Sequence, residues 1–273
     1  MQSPLLTLNN GIQIPQLGLG VFEEDFDVSK TKEAVKYALK AGYRHIDTAS
    51  VYRNEEEVGK ALQETDIPRN EIFITTKVWD SDQGYENAMR AYDKSLKALQ
   101  LDYVDLYLVH WPVRGKRKDT WKALEKIYEE GRVRAIGISN YLVPHLEELE
   151  TYANVTPAVN QIEYTPFCNM KETHEKCKSL GIALESYSPM VRGLKKDHPV
   201  LKKIGAKHQK STFQVLIRWA LDNGVITIPK SSSPARIDSN FEVLNFSLDT
   251  QDLSALSTLH DGTRVAADPM AYL

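Results

Sequence analysis

The sequence predicts an α/β protein of the (β/α)₈ TIM-barrel class, with an N-terminal β-hairpin and with extra helices and a C-terminal tail over the barrel. Strand-like runs alternate with helical runs about eight times, which is the number that a closed barrel needs. The predicted strand ends lie roughly 20 to 40 residues apart, enough chain for one βα unit. Because no Pro/Gly/Ser-rich linker interrupts the series, we expect a single domain over residues 1–273.

The chain opens with a pattern typical of a β-hairpin. LLTLNNGIQIPQ alternates apolar and polar residues around Asn10-Gly11, a dipeptide that supplies positive φ in a two-residue hairpin turn. Helical spacing of apolar residues then marks runs such as SKTKEAVKYALKAG, EEEVGKALQE and FQVLIRWALDNG. The segments SSSPARIDSNFEVLNFSL and DGTRVAADPMAYL are predicted to form an extra helix and a strap across the barrel. The predicted strands end near Gly20, Asp47, Lys77, His110, Ser139, Gln161, Tyr187 and Pro229.

The composition is that of an ordinary globular protein, with 42% hydrophobic and 26% charged residues. A net charge of −3 provides no basic stripe, so we expect no nucleic-acid partner. Cys168 and Cys177 belong to no CxxC pair or Cys/His cluster, which argues against a disulfide framework and a metal site. No secretory signal or transmembrane-length apolar run occurs, so we expect a cytoplasmic protein without a membrane segment. Because the predicted helices show no apolar stripe beyond their usual buried faces, we expect a monomer.

Polar side chains close three consecutive strand-like runs. Asp47, Lys77 and His110 end RHID, IFITTK and DLYLVH, and Tyr52 follows shortly after Asp47. The carboxyl ends of parallel strands meet at one face of a barrel, where barrel enzymes hold their active sites. Taken singly, each of these residues is more often structural, as a solvated cap or a packed core histidine. Together they predict a candidate active site.

One long segment, GYRHIDTASVYRNEEEVG at residues 42–59, resembles the signature of the aldo-keto reductase superfamily. It is joined in family order by LQLDYVDLYLVHWP, IGISNY, VNQIEYTP, ESYSP and IPKSSSPARIDSN. These blocks span nearly the whole chain, and the resemblance implies a TIM barrel that reduces an aldehyde or ketone with NADPH. No G-x-G-x-x-G run occurs, which argues against a Rossmann nucleotide site.

The resemblance implies that Asp47, Tyr52, Lys77 and His110 are the catalytic residues. A carbonyl that accepts hydride develops negative charge on oxygen and needs an acid to protonate it; Tyr52 is the candidate. A free tyrosine has a pKa of about 10, so a cation is needed to stabilise the phenolate, and Lys77 is the candidate. Asp47 is the expected counter-ion of Lys77, and His110 is expected to position the carbonyl through a hydrogen bond.

The resemblance also implies a nucleotide site. Side chains with amide and hydroxyl groups, and one stacking ring, match the positions that hold the nicotinamide. Two cations and several hydroxyls match the positions that hold the 2′-phosphate after the last strand, which predicts NADPH rather than NADH. The predicted nicotinamide residues are Asp47, Ser139, Asn140, Gln161 and Tyr187. Those predicted for the pyrophosphate, 2′-phosphate and adenine are Ser188, Lys230, Ser231, Ser232, Arg236 and Asn240.

Aromatic residues that follow the first, third and fourth barrel strands predict the substrate pocket. Phe22, Trp79 and Trp111 are expected to crowd around Tyr52 and His110, and such an apolar wall suits a small carbonyl compound. The segment after the fourth strand and the C-terminal tail are both short. We therefore expect an open site for small aldehydes, dicarbonyls such as methylglyoxal, and keto-sugars.

Two other functions are compatible with the same residues. Some members of the superfamily are NADPH-binding regulatory subunits of membrane channels, and they keep similar site residues. A barrel isomerase or aldolase would instead use Lys77 to form a Schiff base, which needs a desolvated amine without a neighbouring carboxylate. The predicted position of Asp47 at the adjacent strand end argues against this second alternative.

Overall fold

Eight parallel strands, arranged in chain order, form the central sheet of the computed structural model, which describes residues 2–273. They are β3 (Leu19–Gly20), β4 (His45–Asp47), β5 (Phe73–Val78), β6 (Val104–Val109), β7 (Val133–Ser139), β8 (Val159–Glu163), β9 (Ala183–Tyr187) and β10 (Ile226–Thr227). The first and last strands meet through two parallel bridges, Leu17 with Thr227 and Gly20 with Lys230. The sheet is therefore a closed barrel, and the predicted fold class is confirmed.

An N-terminal hairpin covers the amino end of the barrel. Its antiparallel strands are β1 (Leu5–Thr7) and β2 (Gln13–Pro15). The predicted two-residue turn is wrong, because the amide of Leu8 donates to Ile12 O over 2.8 Å and leaves a three-residue loop between them. Only Gly11 in this loop has a positive φ, of 84°, as expected when a left-handed glycine ends such a loop. Leu8 and Ile14 pack against side chains of the barrel interior, so the hairpin closes that end to water.

The described residues 2–273 contain ten α-helices, most of which pack outside the strands. They are α1 (Thr31–Ala41), α2 (Glu55–Gln63), α3 (Tyr85–Leu99), α4 (Arg117–Glu129), α5 (Val143–Glu150), α6 (Lys171–Ser179), α7 (Pro199–His208), α8 (Thr212–Asp222), α9 (Pro234–Phe241) and α10 (Thr250–Ser257). In α3 the buried residues recur at helical spacing, at Ala88, Ala91, Tyr92, Ser95 and Leu99. Helices α7 and α10 lie outside the runs that the sequence predicts to be helical. No helix among the described residues has the length and apolarity to cross a membrane.

The C-terminal tail crosses the carboxyl end of the barrel, as the sequence predicts. The backbone amides of Val265 and Ala266 donate to the two carboxylate oxygens of Glu163 at 2.8 and 3.1 Å, which ties the tail to the end of β8. Further along, Tyr272 stacks on Trp111 with ring centroids 5.2 Å apart. The tail therefore spans from β8 to the loop that follows β6 and forms part of the barrel mouth.

Candidate active site

One cavity of about 1000 Å³ at the carboxyl end of the barrel brings most of the predicted site residues together. Lys77 lies behind its wall with no exposed surface. Ser231 and Ser232 do not line the cavity, and the Ser231 hydroxyl accepts from the Ser233 amide within the turn before α9. The predicted residues that do line it are Phe22, Asp47, Tyr52, Trp79, His110, Trp111, Ser139, Asn140, Gln161, Tyr187, Ser188, Lys230, Arg236 and Asn240.

Three adjacent strands place the predicted catalytic residues. Asp47 ends β4, Lys77 lies on β5, and His110 directly follows β6, with β5 between the other two strands. Tyr52 is not on a strand; it ends a short 3₁₀ turn that begins at Ser50. The Ser50 hydroxyl donates to Lys77 O over 3.0 Å, which fixes this turn against β5. The phenol of Tyr52 is thereby held over the end of the lysine side chain.

The ammonium group of Lys77 has a partner for each of its three hydrogens. Its Nζ lies 2.6 Å from Asp47 Oδ1, 2.9 Å from Thr48 O and 3.4 Å from the Tyr52 hydroxyl. The other carboxylate oxygen, Asp47 Oδ2, accepts from Gln161 Nε2 over 2.8 Å. A continuous polar chain therefore runs from Gln161 through Asp47 and Lys77 to the Tyr52 hydroxyl at the cavity wall.

Burial and charge set the protonation states in this chain. Burial lowers the pKa of Lys77, but the negative charges of Asp47 and of an ionised Tyr52 more than offset this, so the pKa is raised. Burial raises the pKa of Tyr52, and the positive charge of Lys77 opposes that rise without reversing it. Near neutral pH, Lys77 is therefore cationic and Tyr52 carries its proton.

His110 presents one ring nitrogen to the cavity. Its Nδ1 is buried and has no hydrogen-bond partner among the described residues, which leaves Nε2 as the nitrogen that solvent and ligands reach. The ring lies edge-on to Tyr52 and Trp79, with centroids 5.6 and 5.1 Å away. Burial, followed by the charge of Lys77, holds the pKa of His110 well below its usual value. A neutral imidazole in this position can donate a hydrogen bond to a carbonyl oxygen through Nε2–H.

The predicted amide-binding residues are locked by hydrogen bonds to one another. Asn140 Nδ2 donates to His110 O over 2.9 Å, and Asn140 Oδ1 accepts from the Tyr187 hydroxyl over 2.7 Å. The Ser139 hydroxyl donates to Gln161 O over 2.8 Å. Both hydrogens of the Asn140 amide nitrogen are used internally, because Ser139 Oγ accepts a second bond at 3.2 Å. The Asn140 side chain is therefore held in place, and only its oxygen can still accept a hydrogen bond from a ligand.

The opposite end of the cavity carries cations and an unpaired amide. Lys230 forms an ion pair with Glu23, and Arg236 is exposed on the first turn of α9. Asn240, 4% exposed, has an Nδ2 without a partner in the described part of the chain. An unsatisfied buried amide costs free energy unless a ligand or water completes it. This end of the cavity is thus suited to an anionic group beside a hydrogen-bonding ring.

The sequence interpretation missed three acidic residues around the site. Glu163 anchors the tail, Glu23 pairs with Lys230, and Glu185 lies buried inside the barrel on β9. The signal for Glu185 was present, since a charged residue inside the strand-like run IALESY must face the barrel interior or the helices. The other two pairings join residues far apart in the chain and leave no local pattern.

Comparison with known proteins agrees with this arrangement. The sequence model described as "Aldo/keto reductase family" matches residues 16–261. Glyoxal reductase of Bacillus subtilis is 49% identical over 262 residues, covering 96% of this chain and 95% of its own length. Methylglyoxal reductase DkgA of Yersinia pestis is 44% identical and covers 98% and 97% of the two chains. The crystal structure of a Bombyx mori aldo-keto reductase in complex with NADP has a TM-score of 0.92, with 34% identity over 98% of this chain and 96% of that one. The protein therefore belongs to the aldo/keto reductase family.

Proposed function

We propose that the protein is an NADPH-dependent reductase of small aldehydes and dicarbonyls such as methylglyoxal, and of keto-sugars. The observation that carries the proposal is the Tyr52 hydroxyl, which lies 3.4 Å from the buried Lys77 ammonium at the wall of a cavity of about 1000 Å³. Family membership and the names of the glyoxal and methylglyoxal reductases that resemble it support the same activity. The NADP complex of the Bombyx mori relative supports the cofactor.

The residues present fit a nicotinamide nucleotide. The Asn140 amide oxygen accepts from the Tyr187 hydroxyl and can accept a second hydrogen bond from the carboxamide, and the unpaired Asn240 amide in the same cavity suits the adenine. Lys230 and Arg236 supply two cations in the wall of the same cavity, which suits the dianionic 2′-phosphate of NADPH. When bound, NADPH would supply the hydride. Ser188 at the wall is proposed to contact the pyrophosphate.

The chain's own groups supply the proton and the orientation. The Tyr52 hydroxyl gives its proton to the carbonyl oxygen as negative charge develops there. The ammonium of Lys77 then faces the phenolate, and Asp47 keeps that ammonium charged by pairing with it at 2.6 Å. His110 donates through Nε2 to the same oxygen and so fixes the direction from which the carbonyl carbon is approached. An amine paired this closely with a carboxylate is a poor Schiff-base nucleophile, which disfavours aldolase chemistry.

The substrate end of the cavity is lined by aromatic side chains. Phe22 packs against Tyr52 with ring centroids 5.0 Å apart, and Trp79 and Trp111 complete the wall. The tail adds the aliphatic residues Val265 and Ala266, so it narrows the mouth despite its short length. Apolar walls with a few convergent polar groups are typical of sites for small, mostly uncharged compounds.

A substrate survey tests the proposal. NADPH oxidation is measured with methylglyoxal, glyoxal, a keto-sugar and a steroid-sized ketone, with NADH in parallel. We expect turnover of the small carbonyls, slow or no turnover of the steroid, and a preference for NADPH. Activity on the steroid alone would refute the substrate class. Tight NADPH binding without turnover of any carbonyl would instead favour a regulatory subunit.

A further inference from the structure

Glu185 is a buried acid that the proposed reaction does not use. It lies on β9 two residues before the cavity-lining Tyr187, and hence deeper in the barrel, with no exposed surface. In the sheet register it stands opposite Gln161 of β8 and Ile226 of β10. Neither of its carboxylate oxygens has a hydrogen-bond partner of normal geometry among the described residues, and Gln161 Nε2, which donates to Asp47 over 2.8 Å, gives the carboxylate only weak support. An ionised carboxylate without donors is strongly disfavoured in a protein interior.

The nearest base to Glu185, His45, offers it no proton. His45 Nε2 lies 3.8 Å from Glu185 Oε1. His45 Nδ1 lies 3.3 Å from Pro15 O, a carbonyl that can only accept, so Nδ1 carries the ring hydrogen. Nε2 is then the acceptor, and it takes the Thr75 hydroxyl at 3.1 Å. Burial holds the pKa of His45 near 3, so the ring stays neutral and does not become a counter-ion.

The charged groups around Glu185 also favour its neutral form. Asp47 on β4 faces it with a like charge, and Lys77 on β5 faces it with an opposite charge that is already paired with Asp47. The neighbouring strands β8 and β10 contribute the uncharged Gln161 and Ile226. Burial first, and then the charge of Asp47, raise the pKa of Glu185 to about 8. A carboxyl with that pKa changes charge within the range in which enzymes are assayed.

We propose that Glu185 is a positioning residue, held as a neutral carboxylic acid beneath the Asp47–Lys77 pair so that the lysine charge is directed to Tyr52. When Glu185 ionises, its negative charge acts on the same pair from below. That charge raises the pKa of Tyr52 and of Lys77, so the phenol becomes a weaker proton donor. The kinetic part of this inference depends on the proposed reductase function, whereas the charge state of Glu185 does not.

Infrared difference spectroscopy tests the charge state directly. Spectra of the wild-type protein are recorded between pH 5 and pH 10 and compared with those of Glu185→Gln, which is isosteric and permanently neutral. We expect a protonated-carboxyl band at pH 6 that is absent from Glu185→Gln and that disappears with a midpoint near 8. Absence of that band at pH 6 would overturn the inference whether or not the protein reduces carbonyls. Glu185→Met replaces the variant if the glutamine form does not fold.

The pH dependence of kcat tests the positioning role. With saturating methylglyoxal, we expect the wild-type rate to fall at least about three-fold between pH 7 and pH 9, and Glu185→Gln to lack that fall. Glu55→Gln is the matched control, because Glu55 is also buried but bonds to the Thr76 hydroxyl at 2.6 Å on the outer side of β5. The control should keep the wild-type profile. Superimposable profiles of wild type and Glu185→Gln, with a carboxyl band that titrates, would refute the positioning role.

Discussion

Lys77 has no contact with solvent, and every hydrogen on its ammonium has an assigned partner. Such a group is stable only while its partners remain, because a buried charge that loses its counter-ion costs several kcal/mol. The same arrangement aims one N–H at the Tyr52 hydroxyl. A single residue thus links the stability of the barrel interior to the proposed acidity of the phenol.

Replacing Lys77 by methionine is expected to damage both properties. Asp47 would be left buried without its counter-ion, so we expect a loss of roughly 3–5 kcal/mol in the free energy of unfolding and at least a 100-fold fall in kcat. The double variant Lys77→Met/Asp47→Asn removes the orphaned charge and should recover most of the stability but none of the activity. Urea unfolding and NADPH oxidation measure the two effects. Recovery of activity in the double variant would contradict the role given to Lys77.

Much of the site was predictable at the level of residues because its members follow strands. Asp47, Lys77 and His110 could be placed from the apolar runs that precede them. Pairings between distant segments could not, and Glu23 with Lys230 is the clearest case, since the two residues are 207 positions apart. Glu185 was readable as a buried acid, but its lack of a hydrogen bond of normal geometry depends on the position of the Gln161 side chain, which donates to Asp47.

The loop after β3 and the segments after β9 and β10 are joined by charge. Glu23 pairs with Lys230, and Glu24 pairs with Arg192 at 2.8 Å. Lys230 and Arg192 both line the cavity, and the acidic loop forms an ion pair with each of them. A phosphate that binds Lys230 must therefore compete with the Glu23 carboxylate. We therefore expect this loop to tune nucleotide affinity.

Charge changes at this loop are expected to alter NADPH binding selectively. Lys230→Ala should weaken NADPH by about 10- to 100-fold, the usual range for losing a charge-assisted hydrogen bond. Glu23→Gln should strengthen NADPH binding, because the competing carboxylate is removed. Fluorescence titration with NADPH and NADH measures both, with NADH as the control that lacks the 2′-phosphate. Equal effects on the two nucleotides would show that Lys230 does not contact that phosphate.

Elements with strong periodicity were predictable and the rest were not. The buried stripe of α3 is visible in the sequence, whereas α7 and α10 bury only a few residues each and are held by tertiary contacts such as Lys207 with Asp252 at 2.9 Å. The hairpin loop was predicted one residue too short because Asn10-Gly11 also occurs in longer loops, where the glycine alone is left-handed. Local sequence does not distinguish these two loop types.

At the scale of the whole molecule, the barrel interior holds ionisable groups where a hydrophobic core would be expected. His45, Asp47, Lys77 and Glu185 are all fully or nearly fully buried. Their protonation states are fixed by folding, so the stability of the protein depends on pH. One substitution, Glu185→Gln, isolates the contribution of Glu185 to this pH dependence and shows whether it raises or lowers stability as pH rises.

Stability is expected to fall with rising pH because of Glu185. Its pKa rises on folding from a usual value of 4.5 to about 8, so between these values the folded state binds a proton that the unfolded state releases. The wild-type protein therefore loses stability relative to Glu185→Gln as pH rises through this window. Urea unfolding of both proteins at several pH values measures the difference. Parallel stability curves would contradict a raised pKa for Glu185.

Tyr52 is proposed to donate the proton in carbonyl reduction, and NADPH oxidation with methylglyoxal by Tyr52→Phe tests this role most directly. The same substitution at Tyr128 is the matched control, because its hydroxyl accepts only from Asn10 Nδ2, at 3.5 Å, among the side chains of the described residues and does not line the cavity. We predict a rate about 100- to 10,000-fold below wild type for Tyr52→Phe, with unchanged NADPH affinity and a normal rate for Tyr128→Phe. A Tyr52→Phe rate within a few fold of wild type would contradict the account.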